Sequence, residues 1–235
     1  MKLVSWNVSH GGGKRTGAIV ETLMRLSPDV IALQEFRTSS IPAILEPLRD
    51  AGWKYKASTT SQPATNGICV LSRFGLRTTN PPLDCPAPRR WLCFESEGSR
   101  GSFAILHIPA AGKKSCKKEF WDCILQYARA NLETPFLFAG SFNTGIPLVD
   151  ETSRSFVCAK QFRELSEIGF TDLWRKFHGD VREYTWFSNY GNGFRLDHAF
   201  ASPGMTERAV RCEYIHEPRT EGTSYHSLVL LETAP

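Results

Sequence analysis

The chain has 235 residues, 41% of them hydrophobic and 22% charged, with a formal net charge of +4. That is the balance of an ordinary soluble globular protein with a full core, and no apolar run approaches the roughly 20 residues that span a bilayer. The seven cysteines are odd in number, scattered and form no CxxC pair, so neither a disulfide framework nor a zinc site is indicated, and a reduced, cytoplasmic protein is expected.

KLVSWNV at 2–8 predicts a strand and has no signal-peptide character, and a loop of three glycines then ends in Lys14 and Arg15. From 16 to 26, Ile19, Leu23 and Leu26 fall at helical spacing, and Ser27-Pro28 stops the helix. VIALQE at 30–35 reads as a buried strand with the polar end Gln34-Glu35. A second helix is expected from about 40 to 51, with Pro42 in its first turn and Gly52 just beyond its end. Short strands follow at 53–57, 67–72, 91–95 and 103–108, with four prolines in the long connection among them.

A helix over 115–130 is introduced by the basic run Lys113, Lys114, Lys117 and Lys118. FLFAGSFN at 136–143 comes next, with bulky apolar residues that suit a strand buried on both faces. Gly140 is expected to break it, so that Ser141 and Asn143 project from the strand end as the floor of an active site. A helix over 159–168 is closed by Gly169, a short helical turn covers 172–177, and the last strands are near 194–202, 210–215 and 227–232. No repeat, low-complexity tract or linker interrupts the chain. Strands in both halves predict one α/β domain over 1–235, with two sheets and outer helices.

Polar groups cluster at strand ends: Asn7, Glu35, His107, Asn143, the Asp197-His198 pair and His226. Each alone has an ordinary reading as a capped Asn, a salt-bridged Glu or a satisfied core His. Together they form a kit. A carboxylate and an amide hold a hard divalent cation, a His-Asp pair supplies an acid, base or donor, and a second Asn donates to an oxyanion. That kit suits metal-assisted hydrolysis of a phosphate ester.

The order and wording of SWN (5–7), LQE (33–35), GSFN (140–143), RLDH (195–198) and SYHS (224–227) resemble the motif series of the endonuclease/exonuclease/phosphatase superfamily. The resemblance spans essentially the whole chain. It implies a DNase I-like, four-layer α/β sandwich of two packed mixed β-sheets flanked by helices, with the site in a cleft at one sheet edge. It implies Mg²⁺ or Mn²⁺ held by Glu35 with Asn7 nearby. It further implies that Asn143 steadies phosphoryl oxygens, and that His226, oriented by Asp197, contacts the scissile phosphate. His107 stands where exonuclease III relatives tend to carry Tyr and DNase I-like members His.

Two departures bear on activity. The family normally reads G-D-x-N where this chain has Gly140-Ser141-Phe142-Asn143, and S-D-H where it has Ser224-Tyr225-His226. In nuclease members the first missing Asp activates the attacking water, and the second supports a metal. A serine hydroxyl cannot take a proton as a carboxylate does, and losing a general base costs about 10²–10⁴ in rate. The intact wording around Ser141 favours an engineered inactivation there, while Tyr225 reads as native; a natural protein that binds without efficient turnover is the other possibility.

The leading expectation is therefore a monomeric, Mg²⁺-dependent phosphodiesterase acting on DNA, with no membrane partner. Lys14-Arg15, Arg89-Arg90, Lys113-Lys114 and Arg195 are candidate backbone contacts, and Trp186, Phe187, Tyr190 and Phe194 candidate stacking groups. The alternatives are a phosphoesterase of a small molecule or lipid, and a non-catalytic phosphate- or nucleic-acid-binding relative.

Overall fold

The computed structural model describes residues 1–110, 114–152 and 155–234. The first third of the chain forms β1 (Lys2–Asn7), α1 (Thr16–Leu26), β2 (Val30–Phe36), α2 (Glu46–Asp50), β3 (Tyr55–Ser58), β4 (Gly67–Ser72) and β5 (Leu76–Thr79). The middle contributes β6 (Trp91–Ser96), β7 (Ser102–His107), α3 (Lys114–Ala130), β8 (Phe136–Ser141), α4 (Ala159–Ile168), β9 (Thr171–Asp172) and α5 (Leu173–His178). The remainder forms the small ribbon β10 (Trp186–Phe187) and β11 (Gly193–Phe194), then β12 (Asp197–Ala201), α6 (Pro203–Arg208), β13 (Ala209–Ile215), α7 (Glu217–Thr220) and β14 (Leu228–Thr233).

Two six-stranded mixed sheets result, in the orders β13-β14-β1-β2-β4-β3 and β5-β6-β7-β8-β12-β9. Each is antiparallel except for one central parallel pair, β1 with β2 and β7 with β8. Their inner faces share one core, with Leu3, Val30 and Val70 from the first sheet against Phe94, Ile105 and Leu137 from the second. Outside the first sheet, Ile19 and Leu23 of α1 cover Val4 and Trp6. Outside the second, Phe120, Trp121 and Ile124 of α3 cover Leu106 and Phe138. The order is helix, sheet, sheet, helix, and no helix among the described residues is long and apolar enough to cross a membrane.

Strand periodicity places the polar residues. Residues two apart share a face, so Leu3 and Ser5 lead to Asn7, Ile105 to His107, and Leu137 and Ala139 to Ser141, all facing the space between the sheets. The register aligns His107 with Ser141 and Ser141 with Asp197 across β7, β8 and β12. Apolar inner faces thus end in one polar row.

Two local expectations are corrected. Strand β8 does not stop at Gly140 but continues through Ser141, which is wholly buried. Gly140 has φ +133°, and a Cβ there would lie 2.0 Å from the Leu106 carbonyl oxygen, so the glycine permits β7 and β8 to approach. The second helix is also irregular. A wide turn over Ile41–Leu45, closed by the Glu46 N–H on Ile41 O, precedes α2 because Pro47 has no N–H to continue an ordinary turn.

Candidate active site

The seven residues expected to act chemically converge. Asn7, Glu35, His107, Asn143 and His226 line a cleft of about 470 Å³ at one end of the sandwich. Ser141 and Asp197 lie just beneath and are buried. A larger hollow of about 720 Å³ lies between β5 and β6 near Arg77 and Arg100 and contains none of them.

Glu35 reaches the cleft through a backbone irregularity. Simple alternation from Gln34, which faces the inner core, would send Glu35 to the helical layer. The pairing of β2 with β4 slips between Gln34 and Phe36, and Glu35 takes φ +55°. A bulge of this kind re-aims a side chain, and a non-glycine residue at positive φ is held there only by its surroundings. Here the holders are hydrogen bonds. Asn7 Nδ2 donates to Oε1 at 3.2 Å, while the His10 N–H and Asn66 Nδ2 donate to Oε2 at 3.0 and 3.1 Å.

Burial pushes the Glu35 carboxyl up, yet it is held below its ordinary value. Because His107 is neutral, the donors from Asn7 and the His10 backbone account for this. Burial and the Arg90 guanidinium together push the His107 imidazole down to about 3. Its Nε2 lies 3.6 Å from Glu35 Oε1.

Behind Glu35 runs a second network. Ser141 Oγ donates to Asp197 Oδ1 at 2.7 Å and accepts from Asn7 Nδ2 at 3.3 Å. The other Asp197 oxygen holds His226 Nδ1 at 2.8 Å. Burial opposes the charge on both partners, but each stabilises the other, so the Asp197 carboxyl lies below and the His226 imidazole above its ordinary value. His226 therefore presents Nε2 to the cleft with Nδ1 fixed.

A divalent cation fits this site in one place. Glu35 offers a carboxylate at the cleft, and Mg²⁺ typically keeps several waters and takes one or two protein carboxylates plus substrate oxygens. Among the described residues no group of three or more His, Cys, Asp or Glu is arranged to hold a metal. Asn7 Oδ1 accepts the Ser9 N–H at 2.9 Å, which leaves it one lone pair, and its Nδ2 faces Glu35, so it orients the carboxylate.

The expected substrate contacts divide. Trp186 lines the cleft and packs against Phe194 with ring centroids 5.6 Å apart. Tyr190 sits at the tip of the β10–β11 ribbon, 93% exposed and outside the cleft. Arg15 braces its own loop through Gly12 O and Ser9 O and lies 5.4 Å from the Tyr225 ring, which points outward. Arg195 is a correction. It is fully buried and held by Asp150 and Asp172 at 2.7 and 2.6 Å, so it joins the ribbon to the second sheet and cannot reach a substrate. Lys113 lies outside the described residues. His198 is likewise structural, with Nε2 on the carbonyls of Thr144 and Arg195.

Sequence reasoning passed over His10 and Asn66, took Arg90 only as a candidate backbone contact, and read Lys117 only as part of a basic run. His10 and Asn66 lie in irregular segments and carry no spacing signal. Lys117 had one: it precedes Phe120 by three and Trp121 by four, on the inward face of α3.

The structure is thus a two-sheet sandwich that gathers a carboxylate, imidazoles and amides in one cleft. The model of the Endonuclease/Exonuclease/phosphatase family matches residues 4–226, and the chain belongs to that family. It is 24% identical over 276 residues to an exodeoxyribonuclease of Streptococcus pneumoniae, covering 99% of each chain. A DNA-(apurinic or apyrimidinic site) endonuclease of Dictyostelium discoideum is 23% identical, over 96% of this chain and 68% of that one. Among solved structures, an AP endonuclease from Archaeoglobus fulgidus superposes with a TM-score of 0.86 at 20% identity, over 99% of both chains. A variant of the 3′ phosphatase NExo from Neisseria, bound to a product DNA hairpin, gives 0.85 at 23% identity over the full length of both. These likenesses establish the two-sheet fold.

Proposed function

We propose that this chain is a divalent-cation-dependent phosphodiesterase acting on DNA, slow as written because Ser141 occupies the position of the family's Asp. The observation that carries the reading is the convergence of Glu35, His107, Asn143 and the Asp197–His226 pair on one cleft. The names of the relatives, all DNA enzymes, support the choice of substrate.

Glu35 would hold the cation, which when bound supplies charge neutralisation at the phosphate and a more acidic water. His226, whose charged form Asp197 favours, donates from Nε2 to a phosphoryl oxygen when protonated. His107 remains neutral and offers its own Nε2–H. Asn7 holds Glu35 in aim. The Trp186–Phe194 wall gives a deoxyribose or base an apolar surface. Among the described residues the cleft carboxylate is Glu35, which this reading gives to the cation, and Asp197 is committed to His226 and Ser141.

The test is cleavage of a labelled DNA hairpin with Mg²⁺ or Mn²⁺, comparing the chain with its Ser141→Asp variant. Ser141→Asp should raise turnover by about two to four orders of magnitude. It also sets a second carboxylate against Asp197 and removes the hydroxyl donor, so the variant should lose about 1–3 kcal/mol of stability in EDTA. If Ser141→Asp gains nothing on DNA or on a generic phosphodiester, also when combined with Tyr225→Asp, the non-catalytic binding reading replaces this one.

A further inference from the structure

Lys117 does not behave as part of the solvated lysine run that its sequence context suggests. It is 1% exposed, on the face of α3 that carries Phe120 and Trp121 into the core. Its amine reaches the floor of the cleft beside Phe156 and Val157. There Nζ donates to the Asn143 backbone carbonyl at 2.5 Å, its one hydrogen bond among the described residues. An ammonium has three N–H donors and no acceptor. A buried cation with one neutral acceptor is poorly compensated, and burial pushes this amine down to about 8. It remains largely protonated near neutrality.

Asn143 shows the same incompleteness from the other side. It takes φ +52°, and its Nδ2 already donates to the Ile108 carbonyl at 2.7 Å. Less of its amide is therefore left for a phosphate than the sequence motif implies. The guanidinium of Arg90, also at the cleft, spends Nη1 on the His107 ring and backbone. Bracing Asn143 alone needs only a neutral donor. A charge kept under an open cleft calls for an anion.

We infer that Lys117 is a fixed cation of the cleft for a phosphoryl group, anchoring Asn143 through its carbonyl and turning its other N–H donors to a non-bridging oxygen of a phosphate mono- or diester. This rests on the phosphoesterase reading above. It is a binding and positioning role that the charge run hides.

The experiment is calorimetric titration of the full chain in EDTA with inorganic phosphate and with a short DNA hairpin bearing a 3′-phosphate. Lys117→Met, close in length and uncharged, is compared with Lys118→Ala on the outer face of the same helix. Both ligands should bind about 10–100-fold more weakly to Lys117→Met and nearly unchanged to Lys118→Ala. Lys117→Arg should recover part of the loss, which a packing defect would not. In case the variants fold poorly, the ¹³Cε lysine NMR spectrum of the unaltered chain gives a second readout, in which the lysine titrating near 8 should shift on adding phosphate. Undiminished binding by a folded Lys117→Met, or an unmoved lysine signal, overturns the role and leaves the phosphoesterase reading standing. A chain that binds neither ligand overturns both.

Discussion

Arg90 donates from Nη1 to Nδ1 of His107 at 3.2 Å, and this contact decides where the His107 proton sits. An arginine can only donate, so Nδ1 must accept and the neutral ring carries its hydrogen on Nε2, toward Glu35. The tautomer follows from the network.

The first prediction follows. Burial and Arg90 both push the His107 imidazole down, to about 3. Arg90→Gln should remove the second cause and move the titration of His107 upward, toward its ordinary range. ¹⁵N-histidine NMR would report both the Nε2–H tautomer and the midpoint. A midpoint that stays put would assign the whole shift to burial.

The second concerns the Asp197–His226 pair and stability against pH. The folded-state pKa of His226 is raised, so its contribution is complete below the unfolded value of 6.5 and is lost as pH rises through the folded one. Asp197 is lowered, so its contribution is present above 3.8 and is lost as pH falls through its folded value. The stability gap between the chain and His226→Asn, from urea unfolding, should be widest at about pH 5–6 and should narrow towards about pH 9. A gap that widens with pH would mean that His226 is not charged by Asp197.

The third takes up Arg195. Removing one member of a buried ionic cluster leaves the others uncompensated, typically at about 3–5 kcal/mol. Arg195→Met removes the close arginine partner of the largely buried Asp172 and leaves Asp150 with Arg175 alone, and should lose stability on that scale in urea unfolding. Tyr190→Ala, at an exposed tip, should change stability by no more than about 0.5 kcal/mol. Similar losses in the two variants would contradict the structural role given to Arg195.

How much of this was legible in the sequence depended on whether the cause was local. Helices α1 and α4 end where expected because Ser27-Pro28 and Gly169 are local stop signals. Strand β5, LRTT, was missed because an exposed edge strand needs no apolar alternation. The seven chemical residues could be picked out by motif, and all gather at the cleft. What the motifs could not convey was aim. The turn of Glu35 into the cleft depends on a register slip against β4, and the fate of Arg195 on two aspartates, Asp150 and Asp172, remote from it in the chain. The Asn7 oxygen accepts a bond from Ser9, two residues on, which the SWN motif does not announce.

The cleft also straddles the first and last strands of the sandwich. Trp6 Nε1 donates to the His226 carbonyl across 220 positions, and Ser224 Oγ donates to the Asn7 carbonyl at 2.6 Å. During synthesis the ribosome releases Asn7, Glu35, His107 and Asn143 long before His226 can join them. A prematurely terminated product lacking His226 and β14 would keep the carboxylate and the amides but leave Asp197 without its imidazole and β1 with an open edge. Such a fragment would carry the aggregation hazard of an unpaired strand and no complete cleft, so proteolytic clearance of it would cost the cell no activity.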